Sequence, residues 1–133
     1  MRFMLQVIVK PYEEPTPPEE AERVSAMMRY NEELQKAGIL LALDGLDTPS
    51  TGARISYPGG KAQVKDGPFP EAKEVLGGYW IIDVRSRDEA IEWATRAPMS
   101  DEEVIEVRHV MDDGDYPQDI QERMAGFEGL GQR

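Results

Sequence analysis

The apolar residues of this chain change their spacing in a fixed order, and that order constrains the fold more than any other feature. Residues 2–10 alternate, with Phe3, Leu5, Val7 and Val9 on one side and Met4, Gln6 and Ile8 on the other. That is the period-two pattern of a strand. Because Met4 and Ile8 keep its second side apolar, the strand is expected inside a sheet rather than at an edge. From about residue 18 to 37 the spacing widens to three and four, and Ala21, Val24, Met27, Met28, Leu34 and Ala37 form a helical stripe. Thr16-Pro17-Pro18-Glu19 supplies capping-box spacing with proline at the first helical position. Gly38 is the residue expected to end the helix in the left-handed conformation.

The pattern then repeats. Ile39 to Leu43 is apolar on both sides and is expected to be a central strand covered on both faces. Residues 53–57 and 61–65 flank Pro58-Gly59-Gly60 and are polar enough for a protruding hairpin. Gly78 to Val84 is strand-like. Ser86-Arg87-Asp88-Glu89 repeats the capping spacing before a helix whose apolar face is Ala90, Ile91, Trp93, Ala94 and Ala97, limited by Pro98. Residues 103–111 alternate again, with Ile105, Val107 and Met111 on one side.

Strand, helix, strand, hairpin, strand, helix, strand is the split βαβ order. It implies an α+β, ferredoxin-like fold with both helices on one face of an antiparallel sheet and a β-hairpin inserted. The 133 residues suffice for one core. The domain is expected over 1–112, with 113–133 as an extension in which Ile120, Met124 and Phe127 are spaced for a short amphipathic helix. The sheet face away from the helices carries Met4, Ile8 and Val110 and is too apolar to be left in water. A second subunit is the expected cover, so a homodimer is expected, and a bound small molecule is compatible with it.

Charge and residue usage remove whole classes of function. Fifteen basic residues against twenty-six acidic ones give a net charge of −11, which repels nucleic acid and anionic membrane. There is no run of 18 apolar residues and no basic leader before an apolar segment, so a cytoplasmic protein is expected. The chain has no cysteine, which excludes disulfides, thiolate metal ligands and a cysteine nucleophile. With one histidine, His109, a histidine metal cluster is excluded, and Asp112-Asp113-Gly114-Asp115 lacks the order of a calcium loop. No nucleotide, phosphate or hydrolase motif is present, and no cofactor or metal is expected. Gly77-Gly78 precedes a strand rather than a helix, so close backbone packing or a bulge is its expected use.

The densest cluster of rigid backbone and reactive groups is Asp66-Gly67-Pro68-Phe69-Pro70-Glu71-Ala72-Lys73-Glu74-Val75-Leu76-Gly77-Gly78-Tyr79. Asp66 before Gly-Pro can bond its own turn, the prolines stiffen the loop, and Lys73 with Glu74 can be a surface pair. Equally, a rigid loop can present Asp66 as an acid or base, with Phe69, Lys73, Glu74, Tyr79 and Arg108 as binding groups.

This segment closely resembles the signature of the DGPF family, within the YCII-related superfamily. The resemblance extends to Met4-Leu5, Asn31-Glu-Glu-Leu34, Ala37-Gly38, Gly45-Leu46, Asp88 to Ala94, Pro98 and Glu106-Val-Arg108, and covers residues 1–112. It implies a ferredoxin-like unit that pairs into a dimeric α/β-barrel-like assembly. It also implies a possible link to extracytoplasmic-function sigma factors, and hence a regulatory alternative to enzyme function. Many YCII-type proteins carry a histidine on the first helix and an aspartate nearby; by spacing back from Gly38, that helix position here is Met27. His109 stands where DGPF relatives commonly have proline, and Pro70 and Ala72 replace the usual alanine and threonine.

Overall fold

A computed structural model describes residues 1–9 and 17–127, with side chains from Glu20 onward in the first helix. Its strands are β1 (Arg2–Val9), β2 (Leu40–Gly45), β3 (Ala53–Ser56), β4 (Gln63–Asp66), β5 (Val75–Asp83) and β6 (Glu103–His109). The helices are α1 (Pro17–Lys36), α2 (Arg87–Thr95) and α3 (Gln118–Met124). Four strands form an antiparallel sheet in the order β2-β5-β1-β6, and β3 with β4 makes a separate hairpin. The architecture is ferredoxin-like α+β, with no closed barrel among the described residues.

The sheet's alternation decides which residues meet the helices. Phe3, Leu5 and Val7 of β1 and Trp80 and Ile82 of β5 are buried on one face, joined by Val84, Tyr30 and Leu34 of α1, and Ala90 of α2. Leu5, Leu34 and Ile82 are fully buried, each contributing about 1.5–3 kcal/mol through removal of apolar area from water. Tyr30 packs edge-on to Trp80 at 5.1 Å and donates its hydroxyl to the Trp93 carbonyl at 2.7 Å. Burial pushes the Tyr30 hydroxyl up to about 12; nearby Arg96 pulls it down and Glu33 pushes it further up.

The caps follow the sequence where they can be seen. The Ser86 hydroxyl accepts from Glu89 N–H, and the Glu89 carboxylate returns to Arg85 N–H. Gly38 has φ +73°, the conformation that ends α1. The cap expected at Thr16 lies outside the described residues. α3 matches the expected tail helix, with Ile120 and Met124 half-buried and Phe127 exposed beyond it.

Two expectations are corrected. The α1 stripe is shifted to one side: Met27 and Leu34 of the expected set face inward together with Tyr30, whereas Val24 and Met28 are 54% and 53% exposed and Ala21 and Ala37 are also exposed. Positions 27, 30 and 34 are one residue off the series 24 and 28, which is a turn of about 100° on the helix surface. The bulk of Tyr30 and its hydroxyl partner set the orientation. Second, β2 is an edge strand, because β5 pairs with only one of its sides. Its doubly apolar sequence therefore leaves Leu43 half-exposed at the sheet margin.

Candidate functional site

A cavity of about 260 Å³ opens between α1 and the ends of β1, β2 and β5. From α1 it takes Arg23, Met27 and Asn31, which recur every four residues and so share one helical face. From the sheet it takes Val7, Val9, Leu43 and Trp80, which sit on the helix side by alternation. The segments 43–49 and 75–80 close the remaining wall, and Glu103 stands at the mouth beside Arg23.

A bulge shapes the sheet end of the cavity. Val7 pairs with Gly78 but Ile8 pairs with Leu76, so Gly77 is an extra residue, a β-bulge that bends β5 outward. Gly77 O accepts from Leu46 N–H at 2.9 Å, which ties the bulge to the loop after β2. A side chain at Gly78 would approach Asp44 O to 2.8 Å, so the strands run too close for anything larger.

Polar groups in this region are already oriented by neighbours. Arg23 Nη2 donates to Glu103 Oε2 at 2.7 Å, and Glu103 Oε1 accepts from Ser100 N–H at 3.0 Å. The Glu103 side chain is only 6% exposed, so the guanidinium is held by a carboxylate that is itself fixed. Trp80 Nε1 donates to Asn31 Oδ1 at 2.7 Å, which settles the amide's orientation. Tyr79 donates its hydroxyl to Asp44 Oδ2 at 2.7 Å, and this bond, with the nearby negative charge, raises the Tyr79 pKa. Both side chains alternate to the opposite sheet face from Leu43 and Trp80.

The residues singled out from the sequence divide into separate places. Tyr79 is the one among them in the cavity's border. Arg108 lies exposed on β6 opposite Met4, on the sheet face shared by Tyr79 and across β1 from it. Asp66 is exposed at the end of β4, and Lys73 and Glu74 are exposed in the loop beyond it. Phe69 is half-buried beneath the Arg54 guanidinium, 4.2 Å from the ring centre. Glu71 joins that cluster through Lys65 Nζ at 3.2 Å. Its carboxyl is held below the usual range, first by its own backbone N–H and then by Lys65.

The loop nevertheless braces the cavity. Gly67 donates to Gly52 O at 2.9 Å and lies flat on Pro49, a cavity-wall residue. A Cβ on Gly67 would fall 1.8 Å from Pro49 O. The rigid motif thus stands behind the wall, with its exit residues Val75 to Tyr79 in it.

A model of the YCII-related domain matches residues 1–113. The chain belongs to the YCII-related family. An uncharacterized protein of Rhizobium meliloti (strain 1021) is 41% identical over 81 residues, which cover 57% of this chain and 62% of that relative's length. In this YCII-related chain Met27, at the helix position where the sequence resemblance points to a histidine, lies in the cavity wall. Arg23, Asn31 and Glu103 were not among the candidates from sequence. The four-residue recurrence of Arg23, Met27 and Asn31 is the signal that marks the two helix residues, and no spacing marks Glu103 on β6.

His109 is elsewhere. Its ring packs against Phe3 at 5.3 Å, with Asp112 Oδ2 at 3.7 Å and Asp115 Oδ2 at 3.9 Å. These three could converge on a cation, although Arg2 already pairs with Asp112 and Asp115 accepts from Asp112 N–H. Among the described residues no helix is long and apolar enough to cross a membrane.

Proposed function

We propose that the protein is a homodimer that binds a small molecule in the cavity beneath α1. The cavity carries this reading: its sheet and helix walls are mainly apolar, and its few polar side chains are held by neighbours, as in preformed ligand sites. Its volume of about 260 Å³ lies just under the range of typical pockets, which run from about 300 Å³ upward, so the ligand it suits is a small one. Titration with small aromatic compounds, followed by the Trp80 indole resonance, tests it. A cavity-filling Leu43→Trp substitution is expected to abolish binding, and an unchanged indole signal with every compound refutes the reading.

The dimer rests on the other sheet face. Met4, Ile8, Ile81 and Val104 lie there at paired positions, with Val104 51% exposed. Glu106 and Arg108 share the same face of β6, so a two-fold axis can bring each against its opposite in a second copy. Light scattering at micromolar concentration is expected to give a dimer mass, and Ile81→Asp a monomer. A wild-type monomer contradicts the proposal.

The hairpin favours a second role as an interaction module, the kind that the DGPF resemblance links to sigma factors. Ile55 and Val64 are cross-strand partners on one hairpin face and, with Tyr57, are exposed. Recovery of a sigma factor with the wild type but not with Ile55→Asp supports this role, and equal recovery with both removes it. Enzyme function through Asp66 requires a substrate at the outer loop, because Asp66 does not border the cavity.

A further inference from the structure

Resting on the cavity reading above, we infer that its ligand is a mainly apolar molecule presenting a carbonyl or carboxylate oxygen to Arg23 and Asn31. Among the described residues the α1 wall offers mainly donors, and its one side-chain oxygen, Asn31 Oδ1, already accepts from the Trp80 indole. That bond fixes the amide, so the group with no strong partner is its NH2. Among the described residues that NH2 reaches only Met28 Sδ, at 4.0 Å, a weak acceptor. Arg23 uses Nη2 on Glu103, and a guanidinium has five N–H donors, so several remain.

Glu103 has both oxygens engaged, one by Arg23 and one by the Ser100 N–H. It orients the guanidinium and offers little to a ligand, which makes it a positioning residue. Asp44 also borders the cavity, but its side chain is on the far sheet face with Tyr79. Asp47 is engaged in its own turn through Thr48 N–H at 2.7 Å. Between the two donors on the same helical face sits the Met27 thioether, with Val7, Val9, Leu43 and Trp80 facing it. An apolar body therefore belongs in the middle and an acceptor oxygen against α1. A bare ammonium group meets the Arg23 guanidinium and the Asn31 NH2 on that wall, with the Glu103 carboxylate already engaged by Arg23 and Ser100 N–H, and is disfavoured.

Benzoate, benzamide and benzylamine share a ring and differ only in this group, so they make the test. Each is titrated into the full 15N-labelled chain while the Asn31 side-chain NH2 and Trp80 indole signals are followed. Benzoate and benzamide are expected to move both signals and to bind at least ten-fold more tightly than benzylamine. Arg23→Gln should weaken benzoate about ten-fold and benzamide less, and a larger benzamide loss argues for a carbonyl ligand within the same proposal. Glu103→Gln, which leaves Arg23 in place but loosens it, should give a smaller loss for both. Benzylamine binding as tightly as benzoate, with binding still abolished by Leu43→Trp, overturns the donor assignment and leaves the cavity standing. No movement with any compound, or movement that survives Leu43→Trp, overturns both. If Leu43→Trp fails to give a dispersed spectrum, Met27→Phe fills the same space from the helix side and decides between those outcomes.

Discussion

The loop over 66–74 and the cavity wall it leans on are built in opposite ways. In the loop, residues of one continuous stretch, 49–71, satisfy one another: Arg54 covers Phe69, Lys65 pairs with Glu71, and Gly67 seats on Pro49 through Gly52. The cavity draws its lining from α1, β1, β2 and the loop after it, β5 and β6, segments far apart in the chain. A dense run of distinctive residues marks a segment that must hold its own shape outside a core. A concave site arises where distant segments fail to close, and its residues need not look unusual in sequence.

The contrast can be broken first at the core. Leu34→Ala is expected to lower stability by about 2–5 kcal/mol in urea unfolding, because it opens a space in a fully buried site. Phe69→Ala, in the half-exposed loop, should cost clearly less. Equal losses would make the loop part of the core and remove the distinction.

Gly67→Ala comes next, at about 1–3 kcal/mol, since the new methyl cannot coexist with Pro49 O without a backbone shift. Because Pro49 lines the cavity, ligand binding should weaken in the same variant. Gly52→Ala is the control: its Cβ would sit at an ordinary 3.5 Å from Pro49 O. Similar effects from both would show that the loop does not brace the wall by this contact.

Tyr30→Phe should cost about 1 kcal/mol by deleting the hydroxyl's bond to Trp93 O. It also carries a pH signature. The folded hydroxyl is raised from 10.0 to about 12, so its contribution is intact below pH 10 and is lost as pH rises through about 12. Alkaline unfolding curves of wild type and Tyr30→Phe should therefore converge over that window, and parallel curves would contradict the burial assigned to Tyr30.

The smallest effect belongs to the exposed loop. Glu71→Gln should leave the thermal midpoint unchanged within error while speeding amide exchange in the hairpin. The Glu71 carboxyl is lowered on folding, so its contribution is present above the usual carboxylate range and fades as pH falls through the folded value. Hairpin exchange in the wild type should approach that of Glu71→Gln on acidification. A global loss of stability would mean that the cluster supports the core after all.

Strand β1, the Ser86 cap, the Gly38 terminus and the split βαβ order were legible because each depends on residues close in sequence. The same holds for the Gly77-Gly78 bulge and for family membership. The rotation of α1 was not legible. Val24 and Met28 satisfy helical periodicity as well as Met27 and Tyr30 do, and only packing against Trp80 and Trp93 chooses between them. β2 was misjudged for a related reason, since apolar residues on both sides report composition and not the number of partner strands.

The sequence alone therefore determined the elements, their order, the family and the charge that disfavours polyanions. It also marked the loop at Asp66 to Phe69 as rigid. Tertiary structure decided where a cavity lies, which face of α1 borders it, and that the loop stands behind its wall. The physical reason is distance along the chain. Caps, turns and alternation are set within a few residues, whereas Arg23 meets Glu103, and Asn31 meets Trp80, only after the sheet has brought them within 2.7 Å.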